Sequence, residues 1–264
     1  EKLNQLKTLE PSNTAIDKKL AEIYYLKNDF SKAADAYSRF AMGPKANEED
    51  LVRYAFALFL NHDFAKSLEV ANMGLKKNPR HAAFNRLAMY NNTDLKRFEE
   101  ALKAADVFFN ECDKADYSYL DYMYYGHLLE ELKKYDEAVG QYEKAVELDP
   151  TKTDLYKNIS SAYEQKNDYK KAIGAYHKYY SSLEKEKQTP DLQFQLGRLY
   201  YGAGTQPDSL TINAEERKQA LMSADSVFQV ISEAAPDSYL GNFWRARANS
   251  ALDPETTQGL AKPF

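Results

Sequence analysis

The amino-acid sequence predicts an all-α chain of consecutive helical hairpins, and three observations carry that expectation. A set of aromatic and small residues returns at intervals of about thirty-four positions. Within each set the apolar positions stand at i, i+3, i+4 and i+7, the spacing of one helix face, and leave Lys and Glu on the other. Each set is preceded by a second signature, a small residue three positions before a bulky one, so each interval holds two helices. A fixed period of this length is the mark of an array of supersecondary units rather than of one globular core.

The elements follow in order. Residues 1–13, with Leu3, Leu6 and Pro11, read as the end of a preceding second helix. Ala21 and Tyr24 then mark a first helix, and Phe30, Ala33, Tyr37 and Phe40 its partner. Ala55 and Leu58 precede Phe64, Ser67, Ala71 and Gly74. In the third interval the best first-helix match is Phe84, Leu87 and Ala88. This leaves one extra residue around Asn91-Asn92-Thr93, before Phe98, Ala101, Ala105 and Phe108. Gly126 and Leu129 precede Tyr135, Ala138, Tyr142 and Ala145, closed by Pro150. Ser160 and Tyr163 precede Tyr169, Ala172, Tyr176 and Tyr179, and Gly197 and Tyr200 precede Leu221, Ala224, Phe228, Ile231 and Pro236. Antiparallel helices approach closely only where small side chains sit at the crossing and large ones fill the flanking grooves, which accounts for the alternation. Residues 202–213 interrupt the sixth hairpin, and Asn213 with Glu216 three positions on predicts a capped restart. Tyr239 to Ala248 reads as one more first helix, with Gly259–Phe264 at the start of its partner.

Bulk properties exclude several classes. At 264 residues, 44% hydrophobic and 28% charged, the chain is too apolar for disorder, and every apolar run is broken too early to span a bilayer. It begins at Glu1 without an initiating Met or a charged-then-apolar leader, so any targeting segment lies outside it or has been removed. A net charge of -5 without runs of Lys or Arg argues against nucleic acid as partner. The single cysteine, Cys112, can form neither an internal disulfide nor a zinc cage, and the acids around it disfavour a thiolate.

The recurrent Tyr135-x-x-Ala138-x-x-x-Tyr142-x-x-Ala145 pattern and its copies resemble the tetratricopeptide repeat family over nearly the whole chain. The resemblance implies a right-handed superhelical α-solenoid over residues 1–264, with repeats at 14–47, 48–81, 82–115, 119–152, 153–186 and 190–238 and a partial repeat at 239–264. The segment from Tyr239 to Pro254 and on through Gly259-Leu-Ala-Lys-Pro-Phe264 is similar to uncharacterised tetratricopeptide proteins of Bacteroides-type bacteria. That likeness points to a bacterial protein of the cell envelope or periplasm rather than the cytoplasm.

No chemistry-bearing motif competes with this reading. His62, His81, His127 and His177 lie in different repeats without metal-ligand spacing, Gly202-x-Gly204 follows a helix rather than a strand, and no nucleophile elbow or phosphate loop is present. The expectation is a non-enzymatic chain with no cofactor and no metal. By resemblance to the family, the first helices line a concave groove. Here it would carry Lys18, Glu22, Tyr25, Val52, Phe56, Phe59, Met123, His127, Lys157, Ser161, Phe194, Arg198 and Tyr201. Of these, Phe56, Phe59, Met123, Phe194 and Tyr201 are not demanded by the hairpin signature, so they are the apolar candidates for a contact surface. Tyr25, His127, Lys157 and Arg198 complete the set expected to hold a protein or peptide partner. The family's clamp for the acidic tails of heat-shock chaperones is disfavoured, because Glu22 stands where that clamp needs Asn and would repel a carboxylate. Two other readings stay open: an envelope module binding a glycan or nutrient, and a regulatory segment of a larger enzyme. The sequence carries no signal for an oligomeric state.

Overall fold

The structure, a computed structural model, describes residues 2–43, 46–112, 116–207 and 212–264. Among them every regular element is helical, and the chain divides into two compact units, residues 1–132 and 133–264.

The first unit holds α1 (Lys2–Leu9), α2 (Thr14–Leu26), α3 (Phe30–Ser38), α4 (Glu48–Leu60), α5 (Phe64–Lys77), α6 (Ala82–Asp94), α7 (Phe98–Asn110) and α8 (Tyr119–Glu131). Three-residue turns join α2 to α3, α4 to α5 and α6 to α7, and each is closed in the same way. Asn28, His62 and Lys96 take left-handed backbone with φ of 57°, 60° and 58°. Their amides donate to Tyr25, Phe59 and Thr93, and the next amides reach back to Tyr24, Leu58 and Asn92. This paired closure satisfies the last carbonyls of each first helix and reverses the chain at once. These turns recur thirty-four residues apart, so the extra residue expected around Asn91-Asn92-Thr93 is not there. The helix α6 keeps the register of α4, and fully buried Met89 stands at the crossing where Ala55 stands in α4. An unbranched thioether chain fills a crossing that the sequence template reserves for a small residue.

Initiation is equally local. Asn47 and Asp50 form a reciprocal capping box at the start of α4, and Ser118 and Asp121 do so at α8. The second helix α5 ends at Lys77, and Asn78 is extended because the proline that follows it disfavours helical backbone ahead of itself. The core is a continuous band of interdigitated rings and small residues; Gly74 leaves room for Phe84, and fully buried Tyr37 and Phe108 fill the grooves.

The second unit holds α9 (Tyr135–Leu148), α10 (Leu155–Gln165), α11 (Tyr169–Ser182), α12 (Pro190–Gly204), α13 (Ala214–Ala234) and α14 (Tyr239–Leu252), with a 3-10 turn at Lys185–Lys187. Asn167 closes the α10–α11 turn at φ 60°, as in the first unit. The interruption expected at 202–213 starts later, because α12 continues to Gly204; its residues 208–211 lie outside the described residues, as do 113–115 of the third expected repeat. Asn213 and Glu216 form the capping box that starts α13. Residues 253–264, which follow α14, form no helix. Asp253 is buried and accepts the amides of Gln258, Gly259 and Leu260, so residues 253–264 fold as a loop that lays Phe264 over the Arg245 guanidinium at 4.3 Å.

Candidate partner-binding site

In the first unit the first helices lie side by side, as contacts between them show. Lys18 of α2 pairs with Asp50 of α4 at 2.8 Å, and Phe59 of α4 meets Tyr90 of α6 at 5.4 Å between ring centres. Tyr90 in turn stacks on Tyr124 of α8 at 4.1 Å. The candidate residues divide on this face. Tyr25 and Phe56 are half-buried, with Tyr25 set edge-on to Phe30. Lys18 is engaged by Asp50 and Glu22 by Lys19, so neither charge stands alone. Phe59 is a correction: it is only 7% exposed, enclosed by Phe64, Tyr90 and Tyr124. Its neighbours along the face wall it in, and it serves packing rather than contact.

Met123 and His127, four apart on α8, share a cleft of about 310 Å³ with Thr93, Asp94, Lys96, Phe98, Tyr124 and Glu131. Asp94 is the last residue of α6, and its Oδ2 accepts a 3.0 Å hydrogen bond from the Tyr124 hydroxyl. Low-dielectric surroundings push the Asp94 carboxyl above its ordinary range, against the pull of that hydrogen bond. Burial likewise holds His127 below the ordinary histidine value, against the opposing charges of Glu130, Asp94 and Glu131. Asp94, Tyr124 and Glu131 were missed by sequence reasoning. The repeat register of α6 was off by one residue there, and Tyr124 reads as another groove-filling tyrosine.

In the second unit α10, α12 and α14 form the corresponding face. Lys157 is exposed on α10, and exposed Arg198 of α12 reaches Glu164 of α10 at 3.9 Å and Gln195 at 3.3 Å. Phe194 and Tyr201 meet the next first helix. Both pack half-buried against Trp244 of α14, at 5.7 and 5.3 Å, and Phe194 also meets Phe228 at 5.7 Å. The next first helix covers much of their surface, and the aromatic face is passed on to α14. There Tyr239, Phe243 and Arg247 stand four apart along one stripe, with Tyr239 76% and Phe243 47% exposed. The exposed Arg247 guanidinium lies over Trp244, Tyr201 and Phe243 at 4.8, 5.2 and 5.8 Å. No carboxylate among the described residues pairs with it. The period of the first-helix signature could have found this stripe, since residues 239–248 already read as a first helix.

Among the described residues, no group of three His, Cys, Asp or Glu is placed to hold a metal ion, and no helix is long and apolar enough to cross a membrane.

A tetratricopeptide repeat family model matches residues 120–152. The crystal structure of the C-terminal part of a TPR repeat-containing protein from Cytophaga hutchinsonii is similar at 30% identity, over 80% of this chain and 75% of that one, with a TM-score of 0.59. MamA from Desulfovibrio magneticus RS-1 aligns over 67% of this chain and 97% of its own at 18% identity and a TM-score of 0.56. A further MamA structure aligns over 66% and 93% at 20% identity and 0.54. At those identities the MamA structures speak to the fold alone. Comparison with curated proteins gives no match.

Proposed function

Because the chain belongs to the tetratricopeptide repeat family, we propose that it is a non-catalytic scaffold whose first-helix faces hold a protein or peptide partner, with the repeats bounded as set out from the sequence. Family membership supports an interaction role at the coarse level. The finer reading rests on one observation, the Arg247 guanidinium held over three rings beside exposed Phe243 and Tyr239 and paired with no carboxylate among the described residues.

A guanidinium stacked on aromatic faces keeps its fork of N–H donors free at the edge and loses little side-chain entropy when a carboxylate arrives. Arg198 and Lys157 extend the positive charge across α12 and α10, with Glu164 the opposing acid in contact. Such a surface suits an extended segment carrying carboxylates and an apolar anchor between them. A single well-seated aromatic or Arg contact at the centre of an interface is worth about 2 kcal/mol or more on truncation.

The test is capture of partners from lysate of the source cell on immobilised chain, wild type beside an Arg198→Glu, Arg247→Glu variant with unchanged helical circular dichroism. The reading expects a protein retained by wild type and lost by the variant. Equal retention by both places the contact on another face and removes this one from consideration.

A further inference from the structure

Resting on that scaffold reading but at a separate site, we propose that the cleft of Asp94, Tyr124, His127 and Glu131 on the first unit receives the Lys or Arg side chain of a partner polypeptide. The cleft is about 310 Å³, the size of a recess for a single side chain rather than a trough for a folded surface.

Its electrostatics favour a cation. Asp94 closes α6, whose last turn contains no basic residue. Its carboxylate therefore adds to the negative end of the helix dipole, where a positive group is normally found. Its hydrogen-bond partner is the neutral Tyr124 hydroxyl, and no Lys or Arg among the described residues pairs with it. Lys96 lines the rim without reaching it. Glu131 supplies a second carboxylate, and Glu130 and Asp94 bear on His127. Desolvation raises the Asp94 pKa, and burial lowers that of His127, so the ring beside the carboxylate is neutral at pH 7.

The walls suit the rest of the side chain. Tyr124 presents a ring fixed by stacking on Tyr90 and by the edge of Phe59, a rigid π surface for an ammonium or guanidinium. Met123 and Phe98 give the methylene stem an apolar lining. An anion would meet two carboxylates here, and an apolar side chain would leave both without an opposite charge.

The experiment is an NMR titration of the full ¹⁵N-labelled chain with N-acetyl-arginine methylamide, its neutral isostere N-acetyl-citrulline methylamide, and the corresponding glutamate compound. The proposal expects saturable shifts from the arginine probe at the amides of Thr93–Lys96 and Met123–Glu131. Citrulline should bind about fivefold more weakly or worse, and glutamate should give no shift. Asp94→Asn, at an exposed position that leaves the remaining spectrum unchanged, should weaken the arginine probe by the same factor. Equal binding of arginine and citrulline, indifference to Asp94→Asn, or shifts scattered outside the two segments would each overturn the proposal. The probe needs no partner, so a silent cleft refutes the cationic anchor alone, whereas failure of the scaffold reading shows in the capture experiment with the Arg198 and Arg247 variant.

Discussion

Tyr90 donates its hydroxyl to Oδ1 of Asp121 at 2.6 Å, from the middle of α6 to the first turn of α8, and so joins two hairpins through a fully buried carboxylate. Arg86 contributes hydrogen bonds to both oxygens at 2.7 and 3.1 Å, and the Ser118 amide and hydroxyl occupy Oδ2 at 2.7 and 2.9 Å. Burial, reinforced by the Asp121 charge, pushes the Tyr90 phenol well above its ordinary range, so it stays a donor at any ordinary pH. Removing the carboxylate as Asp121→Ala strands Arg86 and Ser118 together and is expected to cost about 3–5 kcal/mol. Tyr90→Phe keeps the stacked ring and removes one hydrogen bond, at about 1–2 kcal/mol. Urea unfolding of both variants checks the order; equal losses would contradict it.

The glycines separate into two kinds. A Cβ on Gly74 would lie 2.2 Å from the Phe84 ring, so Gly74→Ala forces the crossing apart and is expected to cost about 1–3 kcal/mol or more. Gly140, inside α9, has no atom within 4 Å of that position. Gly140→Ala therefore gains helix propensity without a clash and should stabilise by about 0.5–1 kcal/mol. Thermal melts of the two variants should move in opposite directions.

Lys96 holds left-handed backbone in the α6–α7 turn, a conformation that costs an L-residue with a long side chain about 1 kcal/mol and glycine almost nothing. Lys96→Gly should raise the melting temperature, by an amount corresponding to roughly 0.5–1 kcal/mol. Asn28→Gly, at the equivalent turn, should gain less, since asparagine already tolerates that region. A larger gain at Asn28 than at Lys96 would show that the turn is not what limits this hairpin.

His127 gives a pH dependence with a definite sign. Burial lowers its pKa in the folded chain from the ordinary 6.5, so the unfolded chain binds the proton more readily. The contribution of neutral His127 is complete above about pH 6.5 and declines as pH falls from there towards the lowered folded value, levelling off below it. Between pH 7.5 and 5, His127→Gln should lose less melting temperature than wild type. A steeper loss in the variant would reverse the assignment.

Much of the hairpin framework was legible because its determinants are local. The Phe98-x-x-Ala101 and Tyr169-x-x-Ala172 spacings, the Asn213 and Glu216 start of α13, and Pro150 after α9 act within a few residues of where they stand. Met89 escaped because a flexible side chain can fill a site that the template reserves for a small one, and that slip moved the face assignment of α6 and hid Asp94. How far Phe59, Phe194 and Tyr201 are covered is hidden from the sequence for another reason. Periodicity gives the face of a helix but not how far the next helix extends over it, and Tyr124 and Trp244 arrive from thirty or more residues away to cover them. The face of a first helix is finished by its successor, which no single repeat encodes.

The stack of Phe59, Tyr90 and Tyr124 has an evolutionary corollary. The same rings that back the Asp94 cleft also brace the buried Asp121 carboxylate, so recognition and folding draw on one set of side chains. Drift in these rings would be filtered by stability before any effect on partners could be selected. A lineage that changed its partner would do so through the rim, at Lys96, Asp94 and Glu131, and would inherit the wall unaltered.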